Sequence, residues 1–425
     1  MQFFTRLIAF FNCKKEFAMS YKTLRKAFHD PKTDADALFQ QRFSASNTIH
    51  LEVTIAGNQA FCFMDDALYT QMLSIAKADK TILALSQQLP GQALQQFIER
   101  TLIDEIVLTN GIEGVNSSRK EIGDILRSLE KQNKRKRFYG LVNKYAMLTQ
   151  GKTVPMDTLE DIRALYDDLV LAEVKADRPD NVPDGRLFRK ESVSVYNASG
   201  VEIHQGLQPE SKIESYLNVA LSFLHDDSVD TLIKAAIFHY LLGFIHPFYD
   251  GNGRLNRFIS SALLLQEYEP LVGLRLSYAT TQLIEKYYKG FTVCNDPLNR
   301  GDITPFVLMF LEVVKQAVDD IVSVLEEKRD LLEVNLACLS HLNELSESRE
   351  VFDLAAILLQ VRMFSGSGIS IHQLMELFHV SRPTIMKRLE GISALGLLER
   401  EKAGREVNYQ LNLDLLAQIA DQAEA

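Results

Sequence analysis

The sequence predicts a mainly α-helical protein. A helical core carries one inserted β-hairpin, a small α+β region precedes it and a winged helix follows it. Three observations predict that class. From about residue 92 to about residue 330, apolar residues recur at the spacing that lines one face of a helix. Inside that span strand-like alternation stands out at one place, Val193 to Ile203, around a glycine turn. From about Glu350 to Leu413, three helical stretches are followed by strand, turn and strand. The expected boundaries are 1–91 for the small region, 92–330 for the helical core and 350–413 for the winged helix.

In chain order, Phe3, Phe4 and the run Leu7 to Phe11 resemble the apolar part of a signal peptide. The run is short, Arg6 is the only base ahead of it and no small-x-small site follows, so a packed amphipathic segment is expected, with Met19 as an alternative start. Ile49, Leu51, Val53 and Ile55 alternate, and Ala56-Gly57-Asn58 turns the chain toward Phe61 and Phe63, which predicts a hairpin. Leu89-Pro90-Gly91 closes this region. A helical apolar rhythm runs from Phe97 through Leu108. The basic run Lys131 to Arg137 reads as the solvated face or end of a helix, because Phe138, Leu141, Val142 and Tyr145 continue an apolar stripe. Pro183-Asp184-Gly185-Arg186 is turn-like, and Val193, Val195 and Val201, Ile203 flank Asn197-Ala198-Ser199-Gly200 as a second hairpin.

In the last region a first helix is expected near Phe352 to Phe364. Ser370 precedes a short helix carrying Leu374, Met375, Leu377 and Phe378. Ser381 suits an N-cap and Pro383 the first turn of a helix that ends at Gly396. The strands are Leu397 to Arg400 and Val407 to Leu411, with the turn at Ala403-Gly404-Arg405.

The chain has 425 residues, 46% of them hydrophobic, enough for two or three domains with cores of their own. The 46 basic residues are outnumbered by 56 acidic ones, a net charge of −10, which argues against a protein that coats nucleic acid non-specifically. Cys13, Cys62, Cys294 and Cys338 are scattered, with no Cys-x-x-Cys, and read as reduced thiols. No stretch is long enough to span a bilayer, and the expectation is a cytoplasmic protein without a membrane partner.

The richest chemistry lies in His246-Pro247-Phe248-Tyr249-Asp250-Gly251-Asn252-Gly253-Arg254-Leu255-Asn256-Arg257. Each part has a use if the ligand is a magnesium nucleotide. Gly251 and Gly253 allow consecutive N–H groups to converge on an anion. The apolar run Ala262 to Leu265 implies that a helix begins inside the motif and points its N-terminus at the same anion. Asp250 is placed to hold a hard cation bridging phosphate oxygens. Arg254 and Arg257, at i and i+3, can both reach phosphates. His246 is the group here that exchanges a proton near neutral pH.

At every fixed position this stretch resembles the signature of the Fic family, His-x-Phe-x-Asp/Glu-Gly-Asn-Gly-Arg-x-x-Arg. The resemblance implies transfer of AMP from ATP to a Ser, Thr or Tyr hydroxyl of a target protein. In that reading His246 deprotonates the hydroxyl, Asp250 binds Mg²⁺, Gly251, Asn252 and Gly253 form the phosphate nest, Arg254 and Arg257 clamp the leaving diphosphate, and Phe248 anchors the loop. A branch of the family that transfers phosphate carries Lys at the position of Gly253, so the glycine points to nucleotidyl transfer. Thr109-Asn110-Gly111-Ile112-Glu113-Gly114 resembles the family's autoinhibitory motif, Ser/Thr-x-x-x-Glu-Gly/Asn. It implies that Glu113 pairs with Arg257 and removes the arginine meant for the γ-phosphate.

The hairpin resembles the Fic flap, whose strand edge, here Val193 and Val195, docks a target segment by main-chain pairing. Tyr288 and Asn295 resemble a nucleoside-pocket pair seven residues apart. The lengthened approach Asp296 to Arg300 leaves Asn299 as the alternative to Asn295. The last region resembles the DNA-binding winged helix of bacterial regulators, also found behind some Fic domains. Arg382, Thr384, Lys387 and Arg388 would face the major groove and Lys402 and Arg405 extend the wing. From Ser370 to Asn412 six Lys/Arg oppose five Asp/Glu, a near neutrality that favours a homodimer on DNA or a protein-docking role instead. Two rival activities use the same residues: removal of AMP from a modified protein with Glu113 orienting water, and an ATP-sensing transcriptional regulator. Release of the inhibition by a partner, by a change of oligomer or by self-modification stays open.

Overall fold

The computed structural model describes residues 21–129, 137–196, 202–342, 345, 347–365, 368–403 and 406–424. The apolar stretch Phe3 to Phe11, the basic residues Lys131 to Lys136, the turn Asn197 to Gly200 with Val201, and Arg405 of the wing lie outside the described residues. The chain divides into two compact units, residues 1–77 with 105–317 and residues 78–104 with 318–425.

The first unit opens with α1 (Leu24–Phe28), α2 (Ala35–Phe43) and the antiparallel hairpin β1 (Thr48–Ile55) and β2 (Asn58–Phe63). Ala56 and Gly57 both take positive φ, 49° and 83°, the turn geometry that matches the twist of a two-residue hairpin. Leu51, Val53 and Ile55 are buried on one face, as their alternation predicts. Next come α3 (Asp66–Gln88) and α4 (Gly91–Ile112), broken apart at Leu89-Pro90, and both have residues in each unit. Then follow α5 (Arg119–Leu126), α6 (Tyr139–Thr149), α7 (Leu159–Tyr166), a π-helical turn (Asp167–Leu171) and α8 (Ala172–Asp177). The inserted hairpin is β3 (Ser194–Tyr196) with β4 (Glu202–Gln205), paired antiparallel with Val195 opposite His204.

At the centre are α9 (Glu210–Leu224), α10 (Thr231–Ile245) and α11 (Asn252–Glu267). Of the fifteen residues of α10, Lys234 and Gly243 alone are not buried. Its sequence is apolar all round, so it forms the middle of the unit rather than one wall. Two short helices, α12 (Pro270–Gly273) and α13 (Leu276–Gln282), lead to α14 (Ile284–Cys294) and to α15 (Thr304–Ser340), whose first part belongs to this unit.

In the second unit Lys328 of α15 places its ammonium over the rings of Phe97 and Phe364 and donates to Met363 O at 2.6 Å. The order is then α16 (Arg349–Phe364), β5 (Ile369–Ser370), α17 (Ile371–Phe378), α18 (Arg382–Ala394), β6 (Leu398–Ala403), β7 (Glu406–Leu411) and α19 (Leu413–Glu424). The three strands form one antiparallel sheet in the order β5-β7-β6. This arrangement is consistent with a winged helix. Ser370 and Gln373 close a reciprocal capping box that starts α17. Pro383 sits in the first turn of α18, and Gly396 takes φ +73° just beyond its end. The described residues are mainly helical with three small sheets, the fold class the sequence predicts.

Candidate functional site

The loop between α10 and α11 holds the His246 to Arg257 motif. His246 ends α10 in the left-handed conformation, φ 51°, with its N–H on Leu242 O at 2.9 Å. Gly251, at φ +80°, is the N-cap of α11, and a Cβ there would lie 2.9 Å from Val170 of the π-helical turn. Phe248 is fully buried and stacks on Tyr166 at 3.7 Å between ring centres. Asn252 closes the loop on itself, accepting from Phe248 N at 3.0 Å and donating to Phe248 O at 2.7 Å.

A cleft opens beside this loop, lined by Glu113, Val195, His204, His246, Asn252, Gly253, Asn256, Arg257, Tyr287, Tyr288, Phe291 and Asn295 among others. Nine of the candidate site residues divide clearly. Glu113, Val195, His246, Asn252, Gly253, Arg257, Tyr288 and Asn295 meet in the cleft, whereas Val193 lies just before β3, where its carbonyl accepts from Gly206 N at 2.9 Å. Asp250, Gly251 and Arg254 flank the cleft without lining it. Asn299 is buried and donates to Asp302 O at 2.5 Å, so of these two alternatives Asn295 is the one that lines the cleft. In the second unit Arg382, Lys387 and Lys402 are exposed, while Thr384 and Arg388 are half-buried, the latter over the Phe378 ring.

The electrostatics turn on three ion pairs. Arg257 is fully buried and spends its guanidinium on α4 and the residue after it: Nε donates to Thr109 Oγ1 at 2.7 Å, and Nη2 donates to Thr109 O at 3.0 Å and Glu113 Oε1 at 2.7 Å. Thr109 and Glu113 thus act as one clasp, one helical turn apart. Arg254 is equally buried and donates Nη1 to Glu173 Oε2 at 2.7 Å, while its Nε and Nη2 have no partner. Asp250 accepts from the exposed Arg178 at 2.8 Å and from Gly251 N at 2.6 Å. Glu173 and Arg178 carry no sequence motif, and only their meeting with the loop across α8 marks them.

Burial pushes His246 down to about 4, against the nearby Glu113 carboxylate, which favours the protonated ring. Its imidazole is therefore neutral at pH 7. His239, deeper on α10, is pushed down to about 3 by burial and is held between Ser260 Oγ and Tyr287 OH, both at 2.8 Å. Two polar atoms at the cleft lack protein partners: Asn295 Nδ2, whose Oδ1 accepts from Tyr240 OH at 2.7 Å, and Asn256 Oδ1. A buried donor and a buried acceptor left open in this way suit a ligand with both kinds of group. Among the described residues no cluster of three or more metal-ligating side chains occurs.

The model of the Fic/DOC family matches residues 156–264, the segment that runs from before α7 through α11 and contains this loop. Over that segment the chain is similar to the Fic/DOC family. Over 109 residues it is 35% identical to the protein adenylyltransferase Fic of Culex quinquefasciatus, a match covering 26% of this chain and 19% of that protein. It is 30% identical over 243 residues to the protein adenylyltransferase Fic of Aedes aegypti, covering 54% of this chain and 43% of that one. These matches span less than half the length of either relative. Among solved structures, a Fic family protein from Desulfovibrio desulfuricans G20 is similar at 20% identity and a TM-score of 0.49, covering 82% of this chain and 97% of that chain. Among the described residues no helix is long and apolar enough to cross a membrane.

Proposed function

We propose that this chain is a protein adenylyltransferase that moves AMP from ATP to a hydroxyl of a protein and is held down by its own Glu113. The observation that carries the reading is the gathering of a neutral His246, Gly253, Arg257, Tyr288 and Asn295 around one cleft. His246 accepts the hydroxyl proton, the oxygen attacks the α-phosphorus in line, and the bond to the β-phosphate breaks to release pyrophosphate. Asn295 Nδ2 and Asn256 Oδ1 offer hydrogen bonds to the nucleoside. Arg254 Nε and Nη2 are the donors left for the leaving diphosphate, and Val195 presents a strand edge to the target.

Asp250 fits a magnesium ion, which takes one or two carboxylates and completes its shell with phosphates and water. Bound there, the ion would neutralise charge on the phosphate oxygens. Asp250 is the residue that would hold it, in place of the exposed Arg178 that pairs with it in this state.

The brake is steric as well as electrostatic. Glu113 fills the space over Gly253, where a Cβ would lie 2.0 Å from Oε1, and it draws Arg257 away from phosphate. Incorporation of label from α-³²P-ATP into protein tests both halves. Glu113→Gly should raise it well above the unaltered chain, and adding His246→Ala should abolish it. Equal incorporation with and without Glu113 would sink the brake.

The same placement of Glu113 favours a second reading, in which its partly exposed carboxylate orients a water that removes AMP from a modified protein. Loss of pre-attached AMP from a modified target, requiring Glu113, would identify that direction. The second unit is proposed to bind duplex DNA or a protein, and salt-dependent, sequence-selective duplex binding separates the two.

A further inference from the structure

The last carbonyls of a helix have no partner within it. At the end of α10 they are met by His204 of β4 and by residues on either side of the β3–β4 hairpin. Phe244 O pairs with His204 Nε2 at 2.6 Å, and Ile245 O accepts from Leu207 N at 3.0 Å. His246 O accepts from Arg189 Nε at 2.8 Å, and Pro247 O accepts from Arg189 N at 3.2 Å. Arg189 also donates Nη1 to Glu191 O at 2.6 Å and Nη2 to Leu207 O at 2.8 Å and Ile245 O at 3.4 Å. One fully buried guanidinium therefore joins the root before β3, the root after β4 and the main chain of His246.

All of these bonds go to main-chain carbonyls. A fork of five N–H groups can serve several carbonyls at once, and a fixed positive charge suits the C-terminus of α10. The packing leaves no slack. A Cβ on Gly206 would lie 2.3 Å from Arg189 Nη2 and 3.0 Å from His246 Cβ. None of the phosphate-side residues, Glu113, Gly253 or Arg257, is among the partners of Arg189.

We infer that Arg189 is a positioning residue that fixes the hairpin edge against His246, so that an acceptor hydroxyl held on the hairpin meets the base. The inference rests on the adenylyl-transfer reading and concerns the acceptor side of that site. A lysine keeps the charge but presents one ammonium, which cannot span the two roots and the His246 carbonyl together.

The test places Arg189→Lys in the Glu113→Gly background. Three quantities are read: label from α-³²P-ATP into lysate proteins at saturating ATP, ADP affinity by calorimetry, and amide exchange at Gly206 and Leu207. The rate should fall at least about tenfold, because a displacement of about 1 Å is costly in a positioned reaction. ADP affinity should stay within about twofold, and both amides should exchange faster. An unchanged rate, or ADP affinity falling in parallel with the rate, overturns the inference. If Glu113→Gly alone gives no label that depends on His246, the adenylyl-transfer reading fails. The exchange measurement still decides the clamp, and unchanged exchange at Gly206 and Leu207 removes it. Gly206→Ala, which presses on Arg189 from the other side, repeats the test should Arg189→Lys not fold, with the same outcomes for and against.

Discussion

At the residue scale, the charged side chains of the loop are each met by an opposite charge. Glu113 holds Arg257, Glu173 holds Arg254 and Arg178 holds Asp250. Glu173 and Arg254 are both buried, Arg257 is buried against a partly exposed Glu113, and Arg178 is exposed, and the difference has consequences. Removing one partner of a buried pair strands the other charge, at a cost of about 3–5 kcal/mol. An exposed pair contributes little and gives way easily. Arg178→Ala should therefore leave the fold intact and free Asp250. Manganese binding in the presence of ADP, followed by electron paramagnetic resonance, should tighten by up to about fivefold. Weaker or unchanged manganese binding would show that Asp250 does not take the cation.

At the element scale, the rod formed by α7, the π-helical turn and α8 supports the loop along its length. Tyr166 stacks on Phe248, Val170 abuts Gly251 and Glu173 holds Arg254. A π-helical turn sets the following residues out of ordinary helical step, and such turns gather at functional sites. Its backbone lies directly against α6 at Gly140, where a Cβ would fall 1.6 Å from Asp168 O. Backbone cannot yield as a side-chain tip can. Gly140→Ala should cost about 1–3 kcal/mol in urea unfolding, through forced separation of α6 from the turn. It should weaken ADP binding as well, because Val170 and Glu173 move with the turn. A change within experimental error in both would contradict this packing.

At the scale of the whole molecule, the buried His239 and Glu105 and the half-buried His246 tie stability to pH with opposite signs. Burial holds His239 near 3 and His246 near 4, below the 6.5 of the unfolded chain. Their contribution is complete above about 6.5 and is lost as pH falls through that window, because the unfolded chain binds the extra protons. Glu105 is raised from 4.5 to about 7, with burial outweighing its bonds from Ser277 N at 2.8 Å and Ser277 Oγ at 2.5 Å. Its proton stays on in the fold, so its contribution is lost as pH rises from about 4.5 to 7. One proton changes stability by about 1.4 kcal/mol per pH unit. His239→Gln should flatten the acid limb of the melting-temperature profile below pH 6.5. Glu105→Gln should remove the loss between pH 4.5 and 7. Parallel profiles for all three chains would show that neither group is perturbed as described.

The sequence by itself determined the parts whose information is local. The first hairpin follows from the alternation Leu51, Val53, Ile55 and from the turn at Ala56-Gly57. The beginning of α11 inside the motif follows from Gly251 and the apolar run beyond it, and the C-terminal helices follow from Ser370, Pro383 and Gly396. The pairing of Glu113 with Arg257, 144 residues apart, was legible because a motif resemblance supplied the contact; the spacing alone did not. Only the tertiary structure decided which groups stand opposite the motif. Glu173, Arg178 and Arg189 belong to no periodic pattern, and a lone charged residue in sequence reads as surface. Their roles arise because burial of α10, apolar on nearly every face, forces the motif loop among three other segments. The loop's charges and carbonyls, shielded there from water, must find partners within the protein.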